Sequence, residues 1–323
     1  MRPRGCILAA LLAAVLLIAG GVFVGGWFAP GPLEDERAFI VPSGASLATI
    51  AAKLEKEEVI GSAGSFRLRA RIFGGGAPIK AGEFLLPKGA SPSRILSIIQ
   101  SDDVIRRFVT IPEGMPSIMV HERLMAQEHL TGEVAIPEEG SVLPNSYDFE
   151  RGEPRAEVLR RMQAAMRRTV DELWAERAKD IAVKTPEEAV ILASVVEKET
   201  GKPSERRMVA GLYSNRLKNG MLLQADPTII YPITAGKPLG RRIRQSEIAA
   251  VNDYNTYTMV GLPKGPITNP GRESIAAVLD PAKTRALYMV ADGSGGHAFA
   301  ETLEQHNRNV EKWFTIRRAR GEM

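Results

Sequence analysis

"TPEEAVILASVVEKETG", residues 185–201, is the stretch on which the reading of the C-terminal half turns. Thr185 is placed as an N-cap, Pro186 takes the first helical position, and Glu188 follows the cap by three residues as in a capping box. Gly201 and then Pro203 mark the stop. The helix between them is apolar on most of its surface, as an element at the centre of a core should be. Glu199 continues the face of Leu192 and Val196, while Glu197 continues the smaller face of Val190, Ala193 and Ser194. Apolar surroundings and the negative end of the helix dipole both disfavour a charged carboxylate, and both effects raise a pKa, as a general acid needs. The plainer alternative is a solvated last turn whose glutamates pair with Lys198, Arg206 or Arg207. The spacing alone leaves the choice open.

Downstream, "LYSNRLKNGMLLQADPTIIYPI" (residues 212–233) gathers Asn215, Arg216, Gln224, Asp226, Thr228 and Tyr231 around Gly220 and Pro227. "NDYNTYTMVGLPKGPITNPG" (residues 252–271) adds Tyr254, Asn255, Thr256 and Tyr257. Amides, hydroxyls and aromatic rings of this kind suit a cleft for sugars, because they hydrogen-bond hydroxyl and acetamido groups while a ring packs on a pyranose face. Turn chemistry alone would use many of the same residues. "YMVADGSGGHAF" (residues 288–299) reads as a hairpin, and residues 154–179 carry a long amphipathic stripe through Leu159, Met162, Met166, Val170, Leu173 and Trp174. His297 and His306 form no recognisable ligand set, so neither metal nor organic cofactor is expected.

At the other end, residues 5–29 carry no charge, long enough to cross a bilayer as a helix. Arg2 and Arg4 precede them and Glu34, Asp35 and Glu36 follow, which puts the N-terminus in the cytoplasm and the bulk outside. Bulky Trp27 and Phe28 stand where a signal-peptide cleavage site would need small residues, and Cys6, the single cysteine, lies ahead of the apolar core. Three segments then share a strand end, a Pro-x-Gly turn, a Ser cap and a short apolar-striped helix: "VPSGASLATIAAKL" (41–54), "LPKGASPSRILSII" (86–99) and "IPEGMPSIMVHERL" (111–124). The first resembles a LysM module, a small βααβ domain that binds N-acetylglucosamine polymers, and ordinary packing units are the alternative. The net charge of +4 is spread among interleaved acids and bases, with no nucleic-acid tract.

"ILASVVEKETG", "NRL…GM.LQADPT.IY", "YNTY…GLP.GPI.NPG" and "YMVADGSGGHAF……HN", in that order, resemble the motifs of the YceG-like family of endolytic murein transglycosylases, over residues 140–313. It agrees with the anchor and the LysM-like region read from the residues above, and the expected fold is α+β: cytoplasmic tail and transmembrane helix (1–32), LysM-like α+β subdomain (33–135) and α+β catalytic domain (136–318). The resemblance implies Glu199 as the catalytic residue and leaves Glu197 a supporting part. Glu199 would protonate the oxygen between N-acetylmuramic acid and N-acetylglucosamine, then take a proton from the muramyl C6 hydroxyl as that oxygen attacks C1, leaving a 1,6-anhydro end. Gln224, Asp226, Thr228, Tyr254, Asn255, Thr256 and Tyr257 are the candidate substrate-binding residues. Peptidoglycan strands are the implied substrate, peptidoglycan synthases the implied partners, and the inner membrane the implied location. A glycan-binding scaffold without chemistry, or a hydrolase using Asp226 as second carboxylate, are the rival readings. One departure is Asn145 in "LPNSY" (143–147), where the family more often has an acidic residue.

Overall fold

The computed structural model describes residues 3–322, with side chains from residue 7 onward, so Arg2 and the side chains of Arg4 and Cys6 lie outside the description. It is a mixed α+β structure that divides into two compact units, one ending at Arg107 and the other beginning at Phe108.

The first unit opens with the apolar helix α1 (Pro3–Phe28), of which 7–28 is long and apolar enough to cross a membrane. Next come β1 (Arg37–Val41), α2 (Leu47–Lys56), α3 (Ala63–Phe73), β2 (Gly82–Leu86) and α4 (Pro92–Gln100). β1 and β2 pair antiparallel with Phe39 opposite Phe84. Period-two alternation sends Phe39, Val41, Phe84 and Leu86 into one core with Ile50, Ala51 and Leu54 of α2, the face expected from sequence. The two Pro-x-Gly segments of this unit behave as their caps predict: Ser46 accepts from the Thr49 amide and Ser91 from the Arg94 amide, each at 3.2 Å.

The second unit holds β3 (Arg107–Ile111, whose first residue closes the first unit), α5 (Ser117–Met125), β4 (Asn145–Phe149), α6 (Arg155–Ala175), α7 (Pro186–Glu199), α8 (Arg206–Lys218), α9 (Asp226–Thr234), α10 (Gln245–Ile248), α11 (Arg272–Leu279), the hairpin β5 (Tyr288–Ala291) with β6 (His297–Ala300), and α12 (Leu303–Ala319). The hairpin is antiparallel, as its turn residues predict. α7 is the centre: Ala189, Leu192, Ala193, Val195 and Val196 are fully buried, and α6, α8, α9 and α11 pack against it. Full burial of a Leu or Val contributes roughly 1.5–3 kcal/mol. Thr185 caps it by accepting from the Glu188 amide at 3.2 Å. Glu188 departs from the expected box: its Oε2 accepts from the amide of Lys184, one residue before the cap, at 2.6 Å.

The third Pro-x-Gly segment belongs to this second unit. Val109, Ile111, Met115, Val120 and Leu124 are buried together with Phe149, Val158 and Met162. Its serine is not a cap, since Pro116 holds that position and has no side-chain donor or acceptor to offer. Ser117 instead donates from Oγ to the Glu138 carbonyl and from its amide to Glu139 Oε1. A fragment of residues 108–323 should therefore fold cooperatively, whereas one starting at residue 136 should not. The shorter fragment lacks those five core side chains, roughly 8–15 kcal/mol of burial and comparable to the whole stability of a domain. Urea unfolding followed by circular dichroism distinguishes the two.

Candidate active site

α7 ends at Glu199, and Thr200 leaves the helix in extended conformation, so the carboxyl sits at the negative end of the helix dipole. A cleft of about 330 Å³ opens beside it, lined by Glu199, Tyr213 and Arg216 on one side, Gln224, Asp226 and Tyr257 on another, and His297 and His306 near the hairpin. Oε1 of Glu199 is buried and has no hydrogen-bond partner. Burial above all, and then the negative charge of Asp226, push the Glu199 carboxyl up to about 7; a hydrogen bond from Tyr213 and the charge of Arg216 oppose this and are outweighed. Glu199 is thus an acid that keeps its proton near neutrality, with one of its two oxygens buried and unpaired.

Glu197 has a different environment. Its Oε2 accepts from the Gly271 amide at 2.9 Å, its Oε1 lies 3.5 Å from Arg206 Nη2, and its side chain is only 5 % exposed. Arg206 also donates to Glu113 at 2.5 Å. A Cβ on residue 271 would stand 2.2 Å from Glu113 Oε1, so a side chain there would push the Glu113 carboxylate off its place beside Arg206. Glu197 therefore ties α7 to the segment before α11. Ser194 on the same face does likewise, accepting from the Ile267 amide at 3.0 Å.

Tyr213 and Arg216 lie three residues apart on α8 and so share a face. The guanidinium is fixed by carbonyls: Nε donates to Leu287 at 2.7 Å, Nη1 to Leu223 at 2.7 Å and Leu222 at 3.1 Å, and the group lies over the Tyr288 ring. Arg216 is thus an oriented, buried cation facing the cleft. The Tyr213 hydroxyl is held well above its ordinary pKa by burial and by Glu199, so it stays a donor. Sequence reading named Arg216 only as part of a polar stretch and did not reach Tyr213, because the pairing of α8 with α7 is not visible as a local pattern. His297 is bound through Nδ1 to Glu205 at 2.8 Å, while His306 stacks on Tyr288 with its pKa lowered by burial and by Arg216. Among the described residues no group of three or more His, Cys, Asp or Glu side chains is arranged for a metal.

The seven candidate binding residues divide in space. Gln224, Asp226 and Tyr257 line the cleft, and the Tyr257 hydroxyl donates to Asp226 Oδ1 at 2.6 Å. Gln224 has φ 53, a left-handed conformation that costs a non-glycine residue about 1–2 kcal/mol, and is held there by its amide's bond to the Thr256 carbonyl. Thr228, Asn255 and Thr256 are fully buried. The two threonine hydroxyls bond each other at 2.9 Å, and Asn255 Nδ2 donates to the carbonyls of Ile248 and Ala250, so these three shape the loops that carry the cleft residues. Tyr254 packs on Tyr231, ring centres 4.8 Å apart, and does not line the cleft. Asn145 is exposed on β4 and lies outside it.

A desolvated carboxylic acid, faced by a fixed arginine, a protonated tyrosine and the carboxylate of Asp226 in an open polar cleft, defines a site for general acid chemistry on a polar substrate. The chain belongs to the YceG-like family, whose pattern it matches over residues 39–312. It is 28 % identical over 335 aligned residues to the endolytic murein transglycosylase of Bacillus subtilis (strain 168), covering 93 % of this chain and 92 % of that one. To the endolytic murein transglycosylase of Streptococcus pneumoniae serotype 2 it is 26 % identical, covering 95 % of this chain and 65 % of the longer streptococcal protein. The crystal structure of a YceG-like protein from Listeria monocytogenes shares the fold, with a TM-score of 0.53, 24 % identity and coverage of 85 % of this chain and 98 % of that one.

The site has a stability signature. The fold keeps Glu199 protonated up to about pH 7, while the unfolded chain releases that proton near the ordinary 4.5. Between those values the native state holds the extra proton, so stability falls as pH rises through them, by up to roughly 3 kcal/mol. Glu199→Gln removes this dependence. Urea midpoints for the variant should vary less from pH 5 to 8 than those of the unsubstituted protein and exceed them above pH 7. Parallel profiles would show that the carboxyl is not held as described. Glu197→Gln, which weakens the link to Arg206, should lower stability by roughly 1–2 kcal/mol in the same assay.

Proposed function

We propose that this protein is a membrane-anchored endolytic lytic transglycosylase of peptidoglycan, with Glu199 as both acid and base. The observation that carries the reading is the buried, unpartnered oxygen of Glu199 with its pKa pushed up to about 7. The Glu199 proton goes to the bridging oxygen, which leaves with N-acetylglucosamine as the C1–O bond of N-acetylmuramic acid breaks. The carboxylate so formed takes the proton of the muramyl C6 hydroxyl as that oxygen bonds to C1. The acid is restored, and no water is consumed. Arg216 supports the second half, since its fixed charge stabilises the transient carboxylate, and Tyr213 donates to the same group. Asp226 supports the first half by keeping the proton on Glu199 and by placing negative charge beside the developing cationic sugar ring. Gln224 and Tyr257 offer hydrogen bonds at the rim.

The homologues named endolytic murein transglycosylase support the substrate class, and α1 supports a single-pass anchor with the bulk of the chain on the far side of the inner membrane. The β1-α2-α3-β2 order supports a LysM-like glycan-binding role for the first unit. Peptidoglycan synthases as neighbours follow from anchor and substrate together.

Glu199→Gln should lower cleavage of polymeric glycan by roughly 10³- to 10⁴-fold while leaving the fold intact, because the amide fills the same space and carries no transferable proton. Glu197→Gln should remain within about tenfold of the unsubstituted rate. The rate should decline as pH rises through about 7, where the acid loses its proton. Mass spectrometry of the released strands reads the chemistry: muramic ends lighter by one water support the proposal, and reducing ends would favour hydrolysis with Asp226 as the base. Unchanged strands with both glutamates intact would leave a binding scaffold.

A further inference from the structure

We propose that α3 is an interfacial helix, which lays Leu68, Ile72 and Phe73 into the acyl boundary of the bilayer that α1 spans and sets Arg67 and Arg71 against its anionic phosphates. The inference rests on reading α1 as the membrane anchor and adds a second point of membrane contact to it.

The last turns of α1 and the length of α3 are packed together. Trp27 is buried against Phe66 and Phe73, with ring centres at 5.8 and 6.1 Å, and Phe23 meets Phe73 at 6.1 Å. Arg69 donates to the Gly26 carbonyl at 3.0 Å and lies over the Phe23 ring. The start of α3 therefore stands level with Trp27 and its end reaches Phe23. Phe23 lies five residues inside the end of α1, about 7.5 Å along the axis.

That depth decides the matter. A hydrocarbon core of about 30 Å takes up some 20 helical residues. Counted from Gly5, the first residue of the charge-free run, they end near Val24, and Arg4 keeps the span from sliding much further toward the N-terminus. Phe23 then lies at or inside the hydrocarbon boundary, and the end of α3 lies there with it.

The surface of α3 fits that position. Phe66 and Ala70 face the protein core, and on the opposite side Leu68 and Ile72 are 52 % and 59 % exposed, with Phe73 38 % exposed at the tip. Leu68 and Ile72 are one turn apart, so they form a stripe, and Arg67 and Arg71 form a second exposed stripe beside it. Neither arginine has an ion-pair partner among the described residues. The chain that follows, 74–79, carries no charge, so no ionised group is drawn into the boundary when Phe73 enters it. Apolar residues flanked by arginines on a short helix beside an anchor form a surface suited to lipid headgroups, with the long arginine side chains reaching outward to phosphate.

The test uses the full chain with Cys6→Ser, reconstituted in phosphatidylcholine vesicles containing phosphatidylglycerol. An environment-sensitive fluorophore is placed singly at Ile72→Cys, Leu68→Cys and Leu12→Cys. At position 72 the emission should move to the blue and be quenched by lipid spin-labelled near the headgroup, with a smaller effect in the same direction at 68. Arg67→Glu with Arg71→Glu should reduce that quenching at 72 and leave position 12 unchanged. Position 12, in the middle of α1, should be quenched by deeply labelled lipid. Water-like, unquenched emission at 68 and 72 with deep quenching retained at 12 overturns the interfacial helix alone. Loss of quenching at 12 overturns the anchor and this inference with it.

Discussion

The structure depends on the desolvation of one carboxyl group. Glu199 lies in the last turn of α7, at the centre of the core of the second unit, and the elements that cover α7 also strip water from that side chain. Covering a carboxyl without pairing it is costly, and the cost is lower for the protonated form, which is why the proton is retained. The same packing that builds the core therefore sets the chemistry. Arg216 is placed to moderate this: its guanidinium is satisfied by backbone carbonyls, so it contributes charge without closing an ion pair that would hold Glu199 ionised.

Those carbonyls come from two places, the segment after α8 and the irregular segment leading into the hairpin. Asn215 reinforces the second, donating from Nδ2 to the carbonyls of Thr284 and Ala286. The hairpin wall of the cleft is thus fastened to α8 through backbone oxygens and does not rely on its own side chains. The loop wall is held by the buried Thr228–Thr256 pair, which explains how a segment so rich in polar residues keeps the strained Gln224 backbone in one conformation.

How much of this was legible in the sequence follows from the range of each interaction. The ends of α7, its apolar bulk, the Ser46 and Ser91 caps and the hairpin are set by residues within a few positions of one another, and the sequence pattern reaches them. Arg206, nine residues on from Glu197, is one of the pairings that the plainer reading of the sequence offers, whereas its second partner, the Gly271 amide, lies 74 residues downstream and no local signal reports it. Tyr213 was passed over for the same reason: on α8 alone it is an ordinary buried aromatic, and only the crossing of α8 on α7 makes it a neighbour of Glu199. Residues 252–271 suit a cleft and a set of turns equally well in sequence, and burial separates them, with Asn255 and Thr256 inside and Tyr257 at the cleft. Composition reports that a segment is polar; it does not report which of its polar atoms are consumed by its own backbone.

Helix geometry explains why two glutamates two residues apart have such different surroundings. At about 100° per residue, positions 197 and 199 point roughly 200° apart. One side of α7 faces the segment before α11, where the Gly271 amide and Arg206 at the start of α8 take up a carboxylate, and the other faces Tyr213 and Arg216 further along α8 and the open cleft. A single-residue slip in the end of α7 would turn both side chains away from these surroundings. The register of that end is secured by the buried Val195 and Val196 and by Thr200, which is buried, bonds back to the Val196 carbonyl and accepts from the Lys202 amide with its hydroxyl. Thr200 thus holds the turn that exposes Glu199 to the cleft while it contributes no group of its own to the lining.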